Sequence, residues 1–113
     1  MILVVGGLAS GKRTYLARLG FSSDDMADGV IDGHSVLLNL HDALIGDERE
    51  PGQIAQALAD KQAITCCEVG SGIVPLDPVE RAWRERVGRT CNILAEQADS
   101  VVRMVCGIPV VLK

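Results

Sequence analysis

The sequence predicts an α/β fold of three layers: a small, mostly parallel sheet between helices, closed by an antiparallel last strand. Three observations carry that expectation. Apolar runs of strand length alternate with segments of helical spacing, the pattern of a sheet with helices on its faces. The first run, MILVV at 1–5, ends in glycines before a helical segment, as a buried parallel strand does. The last two runs, SVVRMVCG at 100–107 and PVVLK at 109–113, are linked too briefly for a crossover helix, so the final strand should return antiparallel. A chain of 113 residues suits one domain, 1–113.

The elements follow in order. After the first strand, 12–19 reads as a short helix, and the polar stretch FSSDDMADG at 21–29 as a surface connection. VID at 30–32 suits a second short strand, and 36–45 has a helical spread of apolar residues. GDEREPG at 46–52 is a loop, 53–60 begins another helix, and AITCCEV at 63–69 reads as a third strand. The best-defined helix starts at Asp77, with Pro78 at its first position and Glu80 where a capping-box carboxylate belongs. Val79, Trp83, Val87, Leu94 and Ala98 give that helix an apolar stripe.

Bulk properties narrow the function classes. A hydrophobic content of 48% supplies a packed core and argues against disorder. The net charge of −4 predicts no broad nucleic-acid footprint. No apolar run reaches the roughly 20 residues of a membrane span. The N-terminus lacks a basic start and turns glycine-rich, which reads as a strand and not a signal peptide, so a cytoplasmic protein is expected. The spacing of Cys66, Cys67, Cys91 and Cys106 matches no zinc pattern and suits small apolar side chains in a reducing compartment.

The stretch GGLASGKRT at 6–14 carries the chemistry. Gly6, then Gly7, Leu8, Ala9 and Ser10, then Gly11 and Lys12 have the spacing of a phosphate-binding loop between strand and helix. Such a loop turns its backbone N–H groups inward, and the lysine reaches the phosphates as a point charge. The next position should carry the hydroxyl that holds magnesium. Here it is Arg13, and Thr14 brings a hydroxyl one residue late, rotated by about 100° along the helix. Either water and acidic groups hold Mg2+, or Arg13 itself neutralises phosphate charge. Asp32 and Glu68, each following a predicted strand, are the acidic candidates.

A second segment is more specific. CEVGSGIVPLDPVERAWRERVGR at 67–89 contains Glu68, Val69, Gly70, Gly72, Ile73, Val74, Pro75, Arg81, Trp83, Arg84, Glu85, Gly88 and Arg89. This resembles the bifunctional adenosylcobinamide kinase / adenosylcobinamide-phosphate guanylyltransferase family, whose members read N-E-V-G-x-G-I-V-P, then R-x-F-R-D, then G-R. ILVVGGLASGK resembles the family's start, CGIPVVLK its end, and VIDGHSVLLNL its D-C-L-T segment, with Asp32 and Ser35 matching the acid and the hydroxyl. The resemblance implies a P-loop NTPase-like (RecA-like) domain that uses ATP or GTP to phosphorylate the aminopropanol hydroxyl of adenosylcobinamide. GMP transfer from GTP to that phosphate then releases pyrophosphate. It also implies a homo-oligomer, with trimers the family expectation. From the residues themselves, Lys12, Asp32 and Glu68 are the expected catalytic set, with the two acids the candidates to hold Mg2+. Arg81 and Arg84, on one helix face, would meet phosphate or a neighbouring subunit.

The chain departs from the family in ways that bear on chemistry. The family's longer segment before D-C-L-T holds the histidine that takes GMP; here GFSSDDMADG replaces it and contains none. His34 and His41 lie within or after the D-C-L-T match, and neither takes the nucleophile's role by position. The loop serine is Arg13, and the asparagine before Glu-Val-Gly is Cys67. The shortened segment implies a smaller sheet. The guanylyltransferase half is therefore expected to be impaired or absent, and the alternative is a nucleotide- or corrinoid-binding module without turnover.

Overall fold

A computed structural model describes residues 1–69 and 77–113. Six strands, β1 (Ile2–Gly6), β2 (Met26–Asp28), β3 (Val36–Leu38), β4 (Ala63–Cys67), β5 (Ser100–Val105) and β6 (Ile108–Val111), form one sheet in the order β2-β3-β4-β1-β5-β6. Every pairing is parallel except β5–β6. The mostly parallel sheet with an antiparallel last strand is the expected architecture. The chain runs from β1 to the β2 edge, returns through β3 and β4, then passes over β1 to β5. The C-terminal end of β1 thus sits where connections diverge, and ligands in such sheets collect there.

Side chains alternate across the sheet and divide the core in two. One face packs Val4, Val36, Leu38, Ala63, Val102 and Met104 around Leu16 of α1 (Lys12–Arg18). The other packs Leu3, Leu37, Ile64 and Cys66 against Leu40 of α2 (Leu40–Ala43), Ile54 of α3 (Pro51–Ala57), and Val87 and Leu94 of α4 (Pro78–Gln97). Asp77 caps α4 as expected, accepting from the Val79 N–H at 2.9 Å, with Pro78 at the first turn. Glu80 pairs with Arg84 at 3.4 Å, and Val79 is exposed, so the buried stripe begins further along the helix. No described helix is long and apolar enough to cross a membrane.

The region between α1 and α3 differs from expectation. VID at 30–32 is not a strand. The second strand lies earlier, at β2, inside the stretch read as a connection, and 36–45 divides into β3 and the short α2. The apolar run SVLL pairs with β4 because sheet burial on both faces overrides the helical spacing of its residues. Gly70, Gly72, Ile73, Val74 and Pro75 of the family-like run lie outside the described residues.

Candidate functional site

The turn after β1 is shaped by its glycines. A Cβ on Gly6 would stand 2.5 Å from Ser10 Oγ and 2.8 Å from the Met104 carbonyl oxygen, so only glycine lets the loop fold back on the sheet. Gly11 has φ 96°, a left-handed conformation that hands the loop into α1. Ala9 is also left-handed at φ 55°, a conformation that strains a side-chain-bearing residue.

Lys12 turns under this loop. Its Nζ donates to the Gly7 carbonyl at 2.7 Å and lies 3.4 Å from Gly6 O and Ser10 Oγ and 3.5 Å from Cys67 Sγ. The residue is only 7% exposed. Carbonyl and hydroxyl oxygens solvate the ammonium, but no carboxylate is hydrogen-bonded or ion-paired to it among the described residues. A buried cation held this way can meet an anion. It borders an open cleft of about 390 Å³ that Leu8, Ala9, Ser10, Gly11, Arg13 and Thr14 line from the loop side. Asp28, Leu38, Asn39, Thr65 and Cys67, from the ends of β2, β3 and β4, line the other.

Asp28, Asn39 and Thr65 are the residues that sequence reasoning missed. Asn39, left-handed at φ 59°, follows the last residue of β3; its N–H donates to Thr65 Oγ1 at 2.9 Å. Its amide Nδ2 donates to Asp28 Oδ1 at 2.6 Å. In a sheet with this strand order, the end of the strand two places from β1 is about 10 Å away, where a P-loop domain can place a metal-holding acid. The signal in the sequence is the apolar run SVLL ending at a polar residue.

The structure does not bring the predicted acids to this cleft. Asp32 precedes β3 and so lies at the N-terminal end of the sheet, opposite the loop. There its Oδ1 is 2.7 Å from His34 Nδ1 and accepts the His34 N–H at 2.9 Å. Those contacts, with the charge of Lys61, hold the carboxyl below its usual range. Lys61 donates to the carbonyls of Asp32 and His34. Glu68 does stand beside the loop, its N–H donating to Gly6 O at 2.9 Å, but its carboxylate faces the α4 side and is forked by Arg103 at 2.6 and 3.2 Å. The pairing of Asp32 and Glu68 around a magnesium ion is thus corrected by topology: one acid per end of the sheet.

Nor do the cleft residues fit magnesium. That ion takes hard oxygen ligands in near-octahedral array, commonly one or two carboxylates besides phosphate oxygens. The strand-end position is the neutral Asn39, the hydroxyl position is Arg13, and an oxygen of Asp28, the one carboxylate among the described lining residues, is engaged by Asn39.

Arg81 and Arg84 lie on α4 and do not line the cleft; Arg84 pairs with Glu80. The described part of α4 borders a second, mostly apolar hollow of about 570 Å³ with Ile45, Val79, Ala82 and Trp83 in its wall. A chain of hydrogen bonds through His41, the His41–Cys67 seam, links one lining residue of each cavity. Trp83 Nε1 donates to the His41 carbonyl at 2.9 Å, and His41 Nδ1 accepts the Cys67 N–H at 3.3 Å. Neither histidine side chain lines the loop cleft.

The strand order, the glycine loop and the lysine beneath it define a three-layer α/β domain of the P-loop class. The model of one family, cobinamide kinase / cobinamide phosphate guanyltransferase, matches residues 44–112, more than half of the chain, and the chain belongs to that family. Membership gives it a cobinamide kinase/guanyltransferase-like role in cobalamin biosynthesis. The match begins after the loop at 6–14, so the phosphate-loop geometry and the family match are independent observations. No curated protein matches the chain.

Proposed function

We propose that the chain binds GTP or ATP in the cleft over Lys12 and transfers the terminal phosphoryl group to the aminopropanol hydroxyl of adenosylcobinamide. The observation that carries this reading is Lys12: a buried ammonium under a glycine loop, at the edge of a cleft, in a member of this family. Phosphoryl transfer depends mainly on positioning and charge stabilisation, which the loop amides and Lys12 supply. The acceptor oxygen forms a bond to the γ-phosphorus while the β–γ bridging bond breaks, and the nucleoside diphosphate leaves. Asp28, on the cleft wall, is the proposed acceptor of the hydroxyl proton. The apolar hollow beside Trp83, separated from the cleft by the His41–Cys67 seam, is the proposed seat of the corrinoid. Guanylyl transfer through a covalent histidine has no support in the cleft's lining.

A homo-oligomer is proposed as well. It is supported by β6 and the residue after it, where Ile108, Val110, Val111 and Leu112 leave apolar surface uncovered along the sheet edge. A second reading, a binding module without turnover, is favoured by Asn39 and Arg13 standing where metal ligands belong. Incubation with adenosylcobinamide and GTP or ATP, followed by mass spectrometry, separates the two. The kinase reading expects adenosylcobinamide phosphate, and binding of both ligands without that product would establish the module.

A further inference from the structure

We infer that this cleft takes the nucleoside triphosphate as its metal-free anion, with the Arg13 guanidinium in the place of the divalent cation. The inference rests on the proposal that the cleft binds a nucleoside triphosphate, and concerns how the phosphate charge is neutralised. A triphosphate needs cationic partners to leave water. In a metal-dependent loop they are the lysine and a magnesium ion held by the next hydroxyl and a strand-end carboxylate. Here neither position carries such a ligand, Arg13 standing at one and Asn39 at the other, and the two agree in sign. Arg13 brings a fixed positive charge and a fork that fits two phosphate oxygens, from a position that lines the cleft. A metal at the same oxygens would meet that charge as repulsion.

At the end of β3, Asn39 brings no negative charge to attract a cation, and its amide donates to Asp28 Oδ1 at 2.6 Å. The Asp28 carboxylate is thereby held by a neutral donor within the wall, and Thr65 pins the Asn39 backbone through its N–H. An asparagine that donates to a carboxylate needs no cation to keep the pair stable; two carboxylates at that separation would demand one. The neutral Asn39 and the cationic Arg13 thus favour the same ligand, a polyphosphate that arrives without its metal.

The test titrates GTP and ATP calorimetrically into the protein in magnesium and in excess EDTA. The unaltered protein is expected to bind at least as tightly in EDTA as in magnesium. Arg13→Ser should lose about tenfold or more of the metal-free affinity, and Arg13→Lys, which keeps the charge but not the fork, should recover only part of it. Arg13→Ser combined with Asn39→Asp should reverse the preference, so that magnesium tightens binding by about tenfold or more. Aspartate, like asparagine, tolerates the left-handed backbone at 39, and circular dichroism checks that each variant is folded. Binding by the unaltered protein that requires magnesium would overturn the inference and leave the nucleotide reading standing. An Arg13→Ser variant that binds normally in EDTA would also overturn it. No binding under either condition, by folded protein, would overturn both.

Discussion

Two lysines, Lys12 and Lys61, are equally buried at 7% exposure, and each donates to backbone carbonyls. They sit at opposite ends of the parallel strands of one sheet. Lys12 lies just beyond β1, beneath a glycine loop, and opens on a cleft. Lys61 precedes β4 and closes over the carbonyls of Asp32 and His34, tying the turn before β3 to the sheet. Burial and hydrogen bonding do not separate a ligand-ready cation from a structural one. The direction of the strands does, since helix starts and their connecting loops gather at the carboxyl ends.

Mutating the two lysines should therefore affect stability unequally. Lys61→Ala leaves two carbonyls without their donor and should cost about 1–3 kcal/mol in urea unfolding. Lys12→Ala removes a charge that lines an open cleft and whose nearest acceptor, the Gly7 carbonyl, belongs to an exposed residue, and should change stability by less than about 1 kcal/mol. If both variants lost the same stability, the distinction between the two ends would fail.

The thiols sharpen the contrast between the cleft and the core behind it. Cys67 lines the cleft beside Lys12, whereas Cys66, its neighbour along β4, points to the opposite face and is buried. The adjoining Cys91 thiol and burial push the Cys66 thiol well up. Alkylation followed by mass spectrometry should label exposed Cys106 first, in all conditions. Cys67 labelling should slow by about tenfold when GTP or ATP is bound, and Cys66 should resist throughout. Unprotected Cys67 in nucleotide-saturated protein would place the ligand elsewhere.

The smallest effect belongs to Asp32. Its folded pKa lies below the unfolded value of 3.8, so its pair with His34 contributes above that pH and is lost as pH falls through the folded value. Asp32→Asn should lower stability slightly at neutral pH, and the difference should shrink as pH falls below 3.8 and vanish only once pH passes the lower folded pKa, where the native carboxyl is protonated as well. Nucleotide affinity should not change. A lost affinity would return Asp32 to the site from which the strand topology removes it.

Much of this was legible in the sequence. MILVV followed by glycines fixed β1 and the loop, and the short link at Gly107 fixed the antiparallel return of β6. The Asp77–Pro78 start of α4 was equally plain, because capping is local chemistry. The acidic half of the site was not legible, because it depends on which end of β3 carries which residue. Read as a strand, VID put Asp32 at a carboxyl end; with β3 at Val36–Leu38, the same residue stands before a strand and Asn39 stands after it. Strands of three residues carry too little pattern to fix such a boundary, and a shift of a few positions moves a side chain from one end of the sheet to the other. Asp28 was hidden for the same reason, at the end of an equally short strand within a polar stretch.

The measurement that tests the central claim most directly is calorimetric titration of GTP and of ATP into the unaltered protein, Lys12→Ala and Lys61→Ala, in EDTA and in magnesium. The account predicts saturable binding by the unaltered protein and by Lys61→Ala with similar affinity, and a loss of roughly 100-fold or more in Lys12→Ala. Equal binding by all three, or none by the folded unaltered protein, would contradict it.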